Sequence, residues 1–293
     1  MERDPGGVRL GLLNRARTSE EIRAALEGVP RDARLRATLV ERYDALAAAP
    51  RRDPAARLRA ELLNALRPLV TVEDRERVEA ALTTYEFGPL GENCSGLRAA
   101  ALLCLAELDP DAAELHSVHL LGDGDRRTEK MSGQPALTAT EFLVSRGQLA
   151  PVYLYALAAY PGSEDASREP LAAALRNLAP LPAALALDLA RRHATNASPA
   201  VLVGLFDLLI GHDQPEAFSE FVRGWARETD QLDVLDFALA EARARHRTPL
   251  VEALETGVEE RLRGALVGDG DEEVPGVADG DGEEDKHHTQ ERT

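Results

Sequence analysis

The residues best suited to chemistry stand in one short run, His116-x-x-His119-x-x-x-Asp123-x-Asp125. Two imidazoles at i, i+3 share a helical face, and two carboxylates follow them into a loop. Nitrogen and oxygen donors in that order suit Zn²⁺ or another divalent cation. Against this, His119 falls about 40° from Leu115 on a 3.6-residue wheel, inside the apolar stripe. A histidine near a helix C-terminus is also favoured by the macrodipole, and glycine-flanked aspartates are ordinary turn residues. The expectation is a structural role for His116, His119, Asp123 and Asp125, with a metal site as the alternative, and no cofactor.

Other chemical candidates are weaker. Asp279-Gly-Asp281-Gly-Glu283-Glu-Asp285 has the acidic spacing of a calcium loop, but position 6 would be Glu284 instead of Gly and position 12 Gln290 instead of Glu. It reads as a solvated acidic tail. Cys94 and Cys104 are the only cysteines, and they bracket one helix about 15 Å apart, beyond disulfide reach. Free thiols suit a reducing compartment, with Cys104 a small hydrophobe on a buried face. Residues 1–80 hold sixteen arginines, Arg51-Arg52 and Arg57-x-Arg59 the most clustered, interleaved with fourteen acids. That mixture predicts a salt-bridged face and not a phosphate-binding stripe.

The single tryptophan, Trp225, stands beside Arg223 and Arg227. Tyr153, Tyr155 and Tyr160 point different ways round one helix, so at least one is packing. Phosphate-loop, dinucleotide, nucleophile-elbow and H-E-x-x-H motifs do not occur. Asn93-Cys94-Ser95 and Asn196-Ala197-Ser198 fit the glycosylation acceptor pattern but read as helix-start residues.

The elements that must position these groups are helices. Hydrophobic content is 44% with only 4% aromatics, and the apolar residues are mostly Ala and Leu, strong helix formers. In Ser95–Leu108, Leu97, Ala100, Ala101, Cys104, Leu105 and Leu108 share one face. Asp109-Pro110 then stops that helix and starts another, making a helical hairpin. Upstream, Thr18-x-x-Glu21 is a capping box before a short helix through Leu26. Further helices are predicted from about Asp32 to Ala48, from Asp53-Pro54 to Pro68, and after Thr71. Beyond the loop 122–134, hairpins are predicted over 135–160, 163–194, 198–228 and 230–266. Val152–Tyr160 holds no charge, which predicts a helix covered on several sides.

Pro110, Pro151, Pro182, Pro215 and Pro249 each begin the second helix of a hairpin, at intervals of 41, 31, 33 and 34 residues. Irregular periods of that length, one helix pair each, are the mark of a helical solenoid. The units Leu97–Leu121, Pro135–Tyr160 and Ser198–Glu228 resemble degenerate HEAT-type repeats: an apolar-rich helix, a short turn, then a proline-started second helix. The resemblance is one of pattern, without a diagnostic motif, and covers about Asp53 to Leu266. It implies an all-α, right-handed α-solenoid of six to seven antiparallel hairpins. The expected divisions are a flexible N-terminus over 1–17, a helical-repeat domain over 18–267 and a disordered acidic tail over 268–293. Within the repeat domain, 18–87 is less regular and 95–267 holds the HEAT-like hairpins.

Charge narrows the function. The net −17 comprises +2 over residues 1–80, −8 from Gly268 onward and −11 across 81–267. An acidic body repels phosphate backbones, so nucleic acid is not the expected partner. No apolar run reaches membrane-spanning length, and the N-terminus lacks a signal-peptide core, so a cytoplasmic protein is expected. What the resemblance implies is a non-enzymatic interaction scaffold, with a basic protein as partner. It also implies one enzymatic alternative, since some HEAT-like proteins are DNA glycosylases acting on alkylated bases through aromatic and acidic residues over a basic concave face. Here Trp225 would be the aromatic.

Overall fold

Capping chemistry and proline decide where the helices begin. The structure, a computed structural model, describes residues 5–27, 32–88, 91–123, 133–159, 168–195 and 197–268. Its helices are α1 (Pro5–Arg15), α2 (Ser19–Leu26), α3 (Arg36–Ala47), α4 (Arg57–Leu66), α5 (Arg75–Leu82), α6 (Ser95–Leu108), α7 (Pro110–Asp123) and α8 (Ala136–Ser145). They continue as α9 (Leu149–Ala158), α10 (Arg168–Arg176), α11 (Ala183–His193), α12 (Pro199–Gly211), α13 (Ser219–Glu228), α14 (Leu232–Ala244) and α15 (Thr248–Gly268). A two-residue antiparallel pair, β1 (Phe87–Gly88) with β2 (Gly91–Glu92), precedes α6. The described chain is otherwise helical, as its composition predicts.

The capping box before α2 forms: the Glu21 N–H donates to Thr18 Oγ1 at 3.2 Å, and the Thr18 N–H donates to the Glu21 carboxylate at 3.1 Å. Ahead of α7, the Ala112 N–H donates to Asp109 Oδ1 at 3.0 Å, which holds that carboxyl below its usual range. Pro110, Pro151 and Pro249 lie in the first turns of α7, α9 and α15. Pro182 is the N-cap of α11, and Pro215 opens a 3-10 turn just before α13.

Three expectations need correction. The stretch expected as a flexible N-terminus, 1–17, contains α1, anchored by Leu13 and Ala16, which are buried in the core. Asp53-Pro54 does not open α4 directly. Ala55 and Ala56 take left-handed backbone, φ 66° and 52°. Asp53 caps from further upstream instead, accepting from the Leu58 and Arg59 N–H groups at 3.0 Å each. Finally, α9 is not covered all round: Val152, Tyr155 and Ala156 are buried but Leu154 is 61% exposed. More fully enclosed are α6, which packs against α4, α5, α7 and α8, and α12, which packs against α10, α11 and α14. The acidic tail lies outside the described residues.

Even-numbered helices touch in succession, α2 to α4, then α6, α8, α10, α12 and α14. Odd-numbered helices flank this row, and the apolar core runs along it. Two crossings are very close because glycine removes the side chain. A Cβ on Gly204 of α12 would lie 2.4 Å from the Ala172 carbonyl of α10, and one on Gly257 of α15 would lie 2.4 Å from the Arg223 carbonyl of α13.

Polar side chains then tie several helices to main chain about one hairpin earlier in the sequence. Arg42 donates to the Leu13 carbonyl at 2.9 Å, His193 to Ala156 at 2.8 Å, His212 to Leu181 at 2.8 Å, Gln231 to Ala197 at 2.9 Å and Arg247 to Ile210 at 2.9 Å. Arg261 likewise donates to Thr229. The bonded residues are 29 to 37 positions apart in sequence. Several of these carbonyls belong to helix C-termini, which have no intrahelical donor and favour a basic partner. On α12, Asp207 lies between Arg176 of α10 at 3.6 Å and Arg245, just after α14, at 3.7 Å.

Candidate functional site

Neither histidine of the donor run is buried in the core. On α7, His116 is half-buried, His119 is exposed, and Leu115 beside it is 76% exposed. This corrects the expected burial of His119. The helix turns Ala113, Ser117, Leu120 and Leu121 to the core instead, a stripe on the far side of the wheel. The side chain of Asp123 and all of Asp125 lie outside the described residues. Among the described residues, no group of three His, Cys, Asp or Glu is arranged to hold a metal.

Both cysteines are free and buried. Burial pushes each thiol up to about 12, far from a reactive thiolate. Cys104 Sγ sits 3.3 Å from the Leu63 carbonyl, as a packing residue. Tyr155 is buried and Tyr153 half-buried, while Tyr160 lies outside the described residues. The arginines of the first helices meet their interleaved acids: Arg23–Glu61 at 3.0 Å, Arg36–Asp74 at 2.9 Å, Arg77–Asp44 at 2.7 Å. Arg51, Arg52 and Arg57 are exposed, but Arg59 turns inward onto Asp53 at 3.1 Å and Glu86 at 2.7 Å.

A second inward arginine, Arg98 on α6, is fully enclosed. It pairs with both Glu92 oxygens at 2.8 and 2.9 Å, donates to the Thr84 carbonyl at 3.0 Å and lies 4.1 Å from the Tyr85 ring centre. These bonds fasten the β1–β2 turn to the core. Neither partner reaches solvent, so the pair is structural.

The most site-like feature lies at the other end of the chain. A groove of about 820 Å³ is lined by α11, α13 and the segment leading into α14. From α11 come Leu187 and Arg191, one turn apart on one face, with Ala194 and Thr195 just past its C-terminus. From α13 come Glu220, Phe221, Gly224, Trp225 and Glu228, again one face, with Thr229, Asp230 and Gln231 beyond. Trp225 is half-buried, its ring 4.5 Å from Phe206 on α12 in an edge-on packing, and it also lines the groove. Behind α13, Gly257 lets α15 approach its backbone closely.

The charges are distinctive. Glu220 and Asp230 make no ion pair among the described residues, nor does Arg191 across the groove. Glu228 accepts from Arg227 at 2.6 Å, and Arg223 is taken up by Glu260. The two arginines flanking the tryptophan are therefore neutralised, and three carboxylates against one arginine line the groove. Sequence reasoning found Trp225 but missed the rest of this site. The available signal was Gly224, a glycine inside a helix, midway between glutamates at i−4 and i+4.

No protein-family model, curated protein or solved structure matches the chain.

Proposed function

We propose that the chain is a non-enzymatic protein-binding scaffold, a right-handed α-solenoid of HEAT-like hairpins that holds a basic protein segment. The observation that carries this reading is the α11–α13 groove, in which an indole and three carboxylates share one surface. Glu220 and Asp230, which make no ion pair among the described residues, retain their attraction for an incoming cation, and the −11 over residues 81–267 extends that attraction beyond the groove.

The solenoid part of the reading is supported by two features of the packing. Even-numbered helices touch in succession, and main-chain ties join residues about one hairpin apart in sequence. Stacked repeats that contact only their neighbours behave this way. Two free buried thiols suit a cytoplasmic, reducing setting. The described residues include no helix long and apolar enough to cross a membrane. A glycosylase reading draws no support from Trp225, because its flanking arginines are ion-paired and a phosphate backbone would meet carboxylates.

The test uses defined peptides of equal length, basic, neutral and acidic, with binding kinetics measured at low and physiological ionic strength. Basic peptides are expected to bind, with salt weakening the complex mainly through the association rate. Equal binding of neutral or acidic peptides, or no binding of basic ones, would overturn the proposal.

A further inference from the structure

Resting on that scaffold reading, we infer that the α11–α13 groove is an arginine-recognition site: it takes one guanidinium of an extended basic peptide against Trp225, over Gly224, between Glu220 and the Glu228–Asp230 corner.

No close packing explains the glycine at position 224. Gly224 sits inside the ten-residue α13, where glycine is a poor helix residue. Gly204 and Gly257 are explained by backbone pressed against them, whereas a Cβ built on Gly224 would meet nothing within 4 Å; the same holds for Gly96, Gly122 and Gly264 in other helices, but of these four only Gly224 lines the groove. The missing side chain therefore leaves space on the groove side of the helix. One turn to either side stand Glu220 and Glu228, and the neighbouring residue is Trp225. Helical spacing thus sets two carboxylates about a bare stretch of backbone, with an indole alongside.

A planar cation suits that shape better than a compact one. Guanidinium stacks on an aromatic ring and donates sideways to carboxylates, whereas lysine offers a point charge. Gln231 is fixed at the groove end by its amide N–H, which donates to the Ala197 carbonyl at 2.9 Å. Arg191 on the opposite wall offers donors to the carbonyls of a peptide main chain.

The protein carries its own reporter, because Trp225 is the only tryptophan. The probes are capped peptides of alternating glycine with arginine, lysine or citrulline, the last being the neutral isostere of arginine. The arginine peptide should change the tryptophan emission and bind about tenfold more tightly than the citrulline peptide, as loss of a charge-assisted bond implies. Lysine should fall between them.

Gly224→Leu should reduce affinity by at least about tenfold without lowering the unfolding midpoint, since leucine is the better helix former. Glu220→Gln with Asp230→Asn should weaken binding about as much and flatten its salt dependence. Unchanged emission, equal affinity for the three peptides, or full binding by Gly224→Leu and the double variant would overturn the inference. If calorimetry still shows basic peptides binding those variants normally, only the arginine site fails and the scaffold stands. If no basic peptide binds the unmodified protein, both fail.

Discussion

Gly257 and Arg223 meet backbone to backbone: a Cβ on Gly257 would lie 2.4 Å from the Arg223 carbonyl oxygen and 2.8 Å from the Ala226 Cβ. Nothing at that distance can yield by rotating a side chain, so α15 and α13 would have to separate. Gly257→Ala is expected to cost about 1–3 kcal/mol, the usual cost of overpacking. Gly224→Ala, on the same helix pair but facing open space, should instead stabilise by about 1 kcal/mol. Urea unfolding of the two variants checks the contrast, and equal shifts of the same sign would refute it.

The Glu92–Arg98 pair is wholly enclosed. Arg98→Ala strands the Glu92 charge in the core and should destabilise by about 3–5 kcal/mol. Replacing both, as Glu92→Gln with Arg98→Met, removes the stranded charge and should recover a large part of that loss. Chemical denaturation of the single and double variants decides this. A double variant as unstable as Arg98→Ala would show that packing, and not charge, sets the cost.

His193 gives a pH signature. Burial holds its imidazole below the ordinary range, against the opposing pull of the Ala156 carbonyl. The unfolded chain therefore takes up a proton that the folded chain resists. Stability from this group is complete above about pH 6.5 and is lost as pH falls toward the folded pKa. His193→Gln keeps a donor for Ala156 and cannot titrate. The variant should lose less stability than the parent between neutral and mildly acidic pH, measured by unfolding midpoints. Parallel losses would rule His193 out as the source.

Both thiols, raised to about 12 by burial, should resist a disulfide-exchange reagent at mildly alkaline pH. Both should react fully once the chain is denatured. Rapid labelling of the native protein would show that one of them opens to solvent.

Much of the architecture was legible in the order of residues. Thr18-x-x-Glu21 and Asp109-Pro110 are local signals, satisfied by bonds within three residues, so their helix starts can be read without knowing any neighbour. The prolines at 110, 151, 182, 215 and 249 mark second helices for the same reason. What escaped was direction. Ala113 and Leu115 are both apolar on α7, yet one is buried and the other exposed. Nothing on that helix alone says which stripe α8 will cover.

Arg98 is a similar case. It falls at i−4 from Leu102 and i−7 from Leu105, which are buried, but only the β1–β2 turn supplies the Glu92 that makes its burial tolerable. The groove lies furthest from sequence alone. Leu187 and Trp225 belong to helices separated by all of α12, and no spacing rule joins them.

By itself, then, the sequence determined the helices, their starts and the acidic excess over residues 81–267, because those depend on neighbouring residues and simple charge. Tertiary packing decided which stripe of each helix is buried, which arginines turn inward and that Trp225 lines one groove with three carboxylates. Those outcomes depend on backbone approaches such as Gly257 to Arg223, between residues one hairpin apart, where close contact on one face leaves the other open.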